Sequence, residues 1–353
     1  MNSIKKVLNH IFIDGLSGMA LGLFATLIIG TILAQIASLM GGLTVARYVL
    51  AVANFAKLIT GAGIGIGVAV KYKSAPLVAI SAAVCGMIGA HATKILAGAV
   101  TIDVSSPGEP LGAFVAAFVG IEIGMLVSGK TKLDIIFTPL ACIGTGGSVG
   151  LLLGRPISTL MAWLGHSIEA ATEAQPILMG IVIAVLMGIF LTLPISSAAI
   201  GISINLTGIA AGAAVAGCCC QMVGFAVMSY RDNKFGGLVA QGLGTSMLQM
   251  PNIIRKPIIW LPPIISSVIV GPLSTALLEM RCNAVGSGMG TSGLVGQFGT
   301  FSAMTAAGTS PLIVIIEIVG LHFILPAVLC LAMSEGMRKL GWIKNGDMRI
   351  SAQ

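Results

Sequence analysis

Apolar runs of about 20 residues recur from one end of the sequence to the other, separated by short polar connections. Hydrocarbon offers the backbone no water, so each run must satisfy its own N–H and C=O groups, which makes it a helix. Only 9% of the residues are charged, against about a quarter in a soluble domain. The sequence therefore reads as an all-α polytopic membrane protein: one integral membrane domain, 1–335, a short cytoplasmic tail, 336–353, and no soluble domain of useful size.

The formal charge of +7 sits mostly in the short connections, where lysine and arginine report orientation and not affinity for nucleic acid. Seven cysteines, including Cys218-Cys219-Cys220, form no C-x-x-C pair and have no histidine at metal-ligand spacing. They read as small apolar helix residues, with no metal and no cofactor expected. Lys5 and Lys6 precede an apolar stretch, Leu16 to Met40, that is too long for a signal peptide and predicts a retained first helix. Residues 1–14 are expected along the membrane interface.

In this background the run Gly286-Ser-Gly-Met-Gly-Thr-Ser-Gly-Leu-Val-Gly296 stands apart. Each glycine costs a helix about 1 kcal/mol relative to alanine, so this density predicts backbone that leaves the helix and lines a cavity. A fainter copy, Gly144-Thr-Gly-Gly-Ser-Val-Gly150, matches the last seven residues of that run at five positions. At nearly the same offset, Thr60-Gly-Ala-Gly-Ile-Gly-Ile-Gly-Val-Ala69 matches Thr207-Gly-Ile-Ala-Ala-Gly-Ala-Ala-Val-Ala216. Together the matches predict a duplicated chain, with repeats at about 16–173 and 176–335 and a re-entrant glycine loop in each.

Runs long enough to cross lie at roughly 16–40, 45–70, 76–100 and 111–128, then at 176–194, 205–229, 258–280 and 309–335, with 156–173 and 235–254 ambiguous. With the N-terminus inside, Lys71, Lys73, Lys130 and Lys132 fall in the cytoplasm and the lysine-free stretch 101–110 falls outside. If both ambiguous segments cross, ten helices form two inverted repeats and both termini are cytoplasmic. Arg231 and Lys234 then lie outside, with Arg255 and Lys256 inside. The rival arrangement makes 235–254 a cytoplasmic loop and 156–173 an interfacial helix. It gains Arg231 and Lys234 for the inside but makes one pair of matches parallel and the other inverted, so a single duplication favours the ten-helix arrangement.

Two midplane loops would surround a solute with neutral donors and acceptors: Thr145 and Ser148 on the first, Asn283, Ser287, Thr291, Ser292 and Gln297 on the second. Such groups suit sugar hydroxyls or another uncharged polar solute, and they equally suit the needs of a broken backbone. Asn205 and Thr207 add a polar group just after the break at Pro194. Gln241, Thr245, Gln249 and Asn252 make a stripe at three- and four-residue spacing that serves either a solute or interhelical hydrogen bonds. Ionisable residues inside spans are costly and are candidates for that reason: Lys57, His91, Lys94, Glu122, Glu317 and His322. His91 and Lys94 share a helix face, and Glu122 is the natural counter-ion of Lys57. A carboxylate facing a histidine, as Glu317 and His322 would allow, can accept a sugar hydroxyl proton. Packing ion pairs and snorkelling lysines explain each of these residues equally well.

The glycine loop Gly288 to Gln297, the run Pro251-Asn252 through Pro257-Ile-Ile-Trp-Leu-Pro-Pro263 and the tail Trp342-Ile-Lys-Asn-Gly-Asp-Met348 together resemble the membrane (IIC) subunits of phosphotransferase-system sugar transporters. The branch that the chain resembles is the perfringolysin- or toxin-regulator (PfoR-type) one, and the similarity covers nearly its whole length. The resemblance implies a homodimeric, multi-pass protein of the bacterial cytoplasmic membrane that moves a sugar inward by alternating access. A phosphorylated IIB protein would act in trans, because the chain has no fused IIA or IIB domain and is not itself an enzyme. It also leaves two alternatives: a membrane sensor that affects toxin gene expression without transport, and an ion-coupled carrier for an organic anion, which draws on Lys57 and Lys94.

Overall fold

The computed structural model describes residues 9–40, 43–98, 107–172 and 175–350, and among them it is helical, with no strand beyond one isolated bridge. Six helices are long and apolar enough to cross a membrane, or seven if one bent pair counts as a single span. Contacts divide the chain into two units, 1–160 and 161–351.

In the first unit α1 is His10–Ser38, α2 Thr44–Leu58, α3 Thr60–Lys71, α4 Pro76–Ala90 and α5 Pro110–Val127, and α6, Asp134–Thr172, begins there and continues past the boundary at 160. α2 and α3 meet at a bend of 54°. The expected interfacial segment is continuous with α1 from His10 onward, and its first eight residues lie outside the described ones. α3 is central, packing on α1, α4 and α5. Its alternating glycines explain how. Gly61 and Gly65, one helical turn apart, lie against Gly86 and Ala82 of α4, whereas Gly63 and Gly67 lie against Gly22 and Gly18 of α1. A Cβ on Gly61 would sit 2.6 Å from the Gly86 carbonyl oxygen, so glycine here lets backbones touch where lipid supplies no hydrophobic drive.

The first glycine run is also packing and not a loop. Gly144 to Gly150 lies within α6. A Cβ on Gly146 would meet the Ala116 carbonyl oxygen at 2.6 Å, and one on Gly150 would meet the Ala116 Cβ at 2.9 Å, so the pair spaced by four forms a small-residue face against α5. The expectation of a re-entrant loop here is corrected by this contact, and 156–173 continues the same helix instead of forming a separate one.

In the second unit α7 is Pro176–Thr192, α8 is Gly208–Met228, α9 is Pro257–Leu277, α10 is Val295–Ala306 and α11 is Pro311–Lys339. α8 is the hub, 89% buried and packed on α7, α9 and α11. Its small residues allow this: Gly217 lies on Ala184 of α7, and Cys218, Cys219 and Cys220 are all fully buried. Ala216, Cys220, Val270, Met280, Met304 and Val314 form part of one apolar cluster around it. All seven cysteines are buried.

Between α8 and α9 the expected crossing at 235–254 is replaced by short broken pieces: Tyr230–Val239 with a kink at Lys234, a wide turn Ala240–Gly244, a tight turn Ser246–Gln249 and a helix Met250–Arg255. Asp232 and Asn233 at one end of this segment and Asn252 and Lys256 at the other all bind the same C-terminal stretch, Gly346 to Ile350. The segment therefore begins and ends on one side, which removes it from the list of crossings.

Candidate functional site

α8 carries the site because two interruptions of the helical backbone, the glycine loop and the broken segment, meet it. The glycine loop is the most irregular. It opens with one turn, Ala284–Ser287, capped by Asn283, whose side-chain oxygen accepts from the Gly286 N–H at 2.8 Å. Gly290 (φ +51°) and Gly293 (φ +52°) then turn the chain through the left-handed region before α10 begins. A bulkier residue at Gly290 would also strike Cys218, with a Cβ 2.8 Å from the Cys218 Cβ. The second density of glycine is thus a loop, as its sequence predicts, and its residues are pinned: Ser197 Oγ donates to the Gly288 carbonyl at 2.7 Å, and Cys282 pairs with Gly208 through two backbone hydrogen bonds.

Along this contact, neutral polar groups are buried with capacity to spare. Thr291 is fully buried with its hydroxyl 3.5 Å from Met222 Sδ. Ser292 is buried and its hydroxyl has no hydrogen-bond partner. Gln297 Nε2 lies 3.3 Å from His322 Nδ1 and 3.3 Å from Cys219 Sγ, which leaves Gln297 Oε1 and His322 Nε2 without partners. A buried polar atom left unpaired costs about 1–3 kcal/mol, so these groups have hydrogen-bonding capacity that the fold itself does not use.

A second cluster sits beside it on α8. Trp260 Nε1 donates to Gln221 Oε1 at 2.9 Å, and the Thr192 hydroxyl lies 3.2 Å from the same oxygen and 2.8 Å from Ser246 Oγ. Gln221 Nε2 has no partner. Sequence reasoning passed over Thr192, Gln221 and Ser246. The signal was Gln221, an amide in the middle of an apolar 21-residue helix. The wide turn Ala240–Gly244 packs on Ser292–Leu294, so the broken segment and the glycine loop are neighbours.

Of the residues singled out from sequence, Gln297 meets His322, and Gln297 and Thr291 reach α8 at Cys219 and Met222, with Ser292 next to Thr291 in the chain. Ser287 is buried too, its hydroxyl donating to the Ala284 carbonyl at 2.8 Å. Asn283 is exposed and acts as a helix cap; Asn205 and Thr207 are exposed at the start of α8, Asn205 with φ +49°. Glu317 is half-buried on α11, with Oε2 unpartnered. In the first unit Thr145 returns its hydroxyl to the Ala141 carbonyl at 2.6 Å, and Ser148 is exposed on α6. His91 is buried at the end of α4 with neither ring nitrogen hydrogen-bonded, and Lys94 is half-buried on the turn that follows. Lys57 lies against Gly30. Glu122 does not answer Lys57 as expected: its carboxylate lies 2.8 Å from His10 Nε2, and the His10 ring stacks on Tyr72 at 4.0 Å. Stacking fixes the imidazole where it can reach across from α1 to α5.

The stripe Gln241, Thr245, Gln249 and Asn252 resolves into hydrogen bonding within the fold. Thr245 caps the Ser246–Gln249 turn, and Gln249 Nε2 donates to Gln241 Oε1 at 2.8 Å. Gln249 and Asn252 also hold backbone carbonyls of the tail. Among the described residues no group of His, Cys, Asp and Glu is placed to hold a metal ion.

The family model described as Phosphotransferase system, EIIC matches residues 13–350, nearly the whole chain. No curated protein matches it.

Proposed function

Since the chain belongs to the phosphotransferase-system EIIC family, a family of membrane sugar-transport components, we propose that its solute site is the glycine loop of the second unit where it meets α8. The observation that carries this is the set of buried, unpartnered neutral groups on Ser292, Gln297 and His322, with Thr291 beside them and Gln221 on the adjoining face. Neutral donors and acceptors match sugar hydroxyls, which both give and take hydrogen bonds, and carry no net charge to desolvate. Asn283, Asn205 and Thr207 shape the rim, and Glu317 is the nearest carboxylate in sequence to His322. Thr145, Ser148, Lys57, His91, Lys94 and Glu122 belong to the first unit and have no part in this site.

The sugar would enter with the loop open to one side and leave to the other by alternating access, and a separate phosphorylated IIB protein would supply the phosphoryl group. The broken segment and the tail lie together and carry Arg231, Lys234, Arg255, Lys256, Lys344 and Arg349, with Arg231 paired to Glu335 and Lys256 to Asp347; this excess of basic residues supports placing that face in the cytoplasm, where an acidic, phosphorylated partner would dock. Liposomes holding the purified protein, given labelled sugars with and without phosphorylated IIB, test the proposal. Uptake of at least one sugar is expected. No uptake across a broad sugar panel, with transcript changes in a deletion strain, would favour the sensor reading.

A further inference from the structure

The last span does not end in a free tail. Residues 340–350 fold back, burying Ile343, Met348 and Ile350 while Arg349 between the last two is exposed. The tail docks as a turn: the Asp347 N–H donates to the Lys344 carbonyl and the Arg349 N–H to the Gly346 carbonyl, each at 3.2 Å, with Gly346 at φ +90°. The surface reads its backbone. Asn233 donates from Nδ2 to the Met348 carbonyl at 2.8 Å and accepts at Oδ1 from the Ile350 N–H at 2.9 Å, so one side-chain amide acts as a strand partner would. Asp232 accepts from the N–H groups of Gly346 and Met348, Asn252 donates to the Arg349 carbonyl, and Lys256 pairs with Asp347. Five backbone groups between Gly346 and Ile350 are held by side chains of the broken segment: the N–H groups of Gly346, Met348 and Ile350 and the carbonyls of Met348 and Arg349, so the docking is built and not incidental.

One contact leads inward. Gln249 Nε2 donates to the Met348 carbonyl at 2.9 Å, and Gln249 closes the tight turn whose first residue, Ser246, bonds Thr192 beside Gln221 and Trp260. From tail to α8 the path is Met348, Gln249, Ser246, Thr192, Gln221, and each of these residues is buried. The turn is only four residues long; Met247 and Leu248 are buried in it and it packs on α7 and α8, while Gln249 ties its far end to the tail, so the tail is one of the few things that hold it.

We propose that the C-terminal segment Leu340 to Ile350 is an intramolecular latch that positions the Ser246–Gln249 turn against Thr192 and Gln221, and so sets the shape of the α8 site. This rests on the site assigned above for its consequence in transport, but the latch itself is a property of the solute-free protein. Release of the tail loosens the turn, exposes the Gln221–Trp260 pair and weakens solute binding; by linkage, solute bound at the site tightens the tail. Phosphoryl transfer and membrane insertion play no part in it.

Trp260 reports on the latch directly. In full-length protein carrying Trp163→Phe and Trp342→Phe, in detergent and without sugar, acrylamide quenching of Trp260 is measured before and after removal of residues 340–353. The quenching constant is expected to rise by about twofold or more on truncation, to rise in the same direction for Asn233→Ala in the untruncated chain, and to fall back when a synthetic peptide of residues 340–353 is added. A truncated protein that stays monodisperse with unchanged Trp260 quenching would overturn the latch. If truncation aggregates the protein, Asn233→Ala decides alone: a monodisperse variant with unchanged quenching overturns it. Sugar uptake does not enter this readout, so failure of the transport proposal and failure of the latch are seen separately.

Discussion

Replacing Gly290 by alanine and, separately, Gly144 by alanine contrasts the two glycine runs that look alike in sequence. Gly290 has φ +51°, where an L-residue costs roughly 1–2 kcal/mol. Its new Cβ would also lie 2.8 Å from the Cys218 Cβ and 2.9 Å from the Cys218 carbonyl carbon. The latter belongs to the middle of α8 and cannot yield, so overpacking adds roughly 1–3 kcal/mol and the total reaches about 2–5 kcal/mol. Gly144 is helical, exposed on α6, and a Cβ there meets nothing within 4 Å. Alanine removes a flexible residue from a helix and is expected to stabilise by about 0.5–1 kcal/mol. Fluorescence-detected size-exclusion chromatography after heating reads the difference in detergent. Gly290→Ala is expected to lose monodispersity about 5 °C or more below Gly144→Ala. Equal losses in the two variants would refute the distinction and return the first run to a strained loop.

Gln297→Leu and His322→Leu each delete one of the groups assigned to the solute, so each is expected to weaken uptake of the transported sugar about tenfold, the worth of one good hydrogen bond, with expression near wild type. Thr145→Val, on α6, is expected to leave uptake unchanged in the same assay. Gly63→Leu would drive a side chain into Thr26 and the backbone of α1, and is expected to abolish folded protein, read as loss of the monodisperse peak. For the tail, burial alone would raise the Asp347 carboxyl, but the Lys256 ammonium and the Lys344 N–H outweigh burial and hold it below its usual 3.8. The folded value is depressed, so the ion pair stabilises docking above the ordinary aspartate range and this is lost as pH falls through the folded value. Emission from Trp342 is expected to stay constant from about pH 8 to about pH 5 and to shift only below about pH 4, with Asp347→Asn showing part of that shift at neutral pH.

The membrane class and most spans were legible because hydropathy reports directly what hydrocarbon demands of a backbone: α1, α5, α8, α9 and α11 all fall within or across expected runs. The second glycine run was legible in its density, but its two-residue steps did not distinguish it, since Gly61, Gly63, Gly65 and Gly67 stand at the same steps within the helix α3. The first run misled because glycine has two uses in a bilayer. Gly146 and Gly150, four apart, fit a packing face, and glycine density alone does not tell the two uses apart. The 235–254 segment misled differently. It is apolar enough on average, but Gly242, Gly244 and Pro251 interrupt it and its amides serve the tail, which no local window reveals. The pairing of Glu122 with His10, 112 residues away in sequence, depends on how α1 meets α5 and has no sequence signal at all.

The central claim is that a sugar occupies the meeting of the glycine loop with α8. A cryo-electron microscopy map of the full chain in a lipid nanodisc, with whichever sugar the liposomes take up, tests it most directly. The account predicts density for the sugar within hydrogen-bond reach of Ser292, Gln297 and His322, with Gly290 and Gly293 still in the left-handed region. Density for the sugar confined to the first unit, beside His91 or Lys57, with the α8 groups still unpartnered, would contradict it.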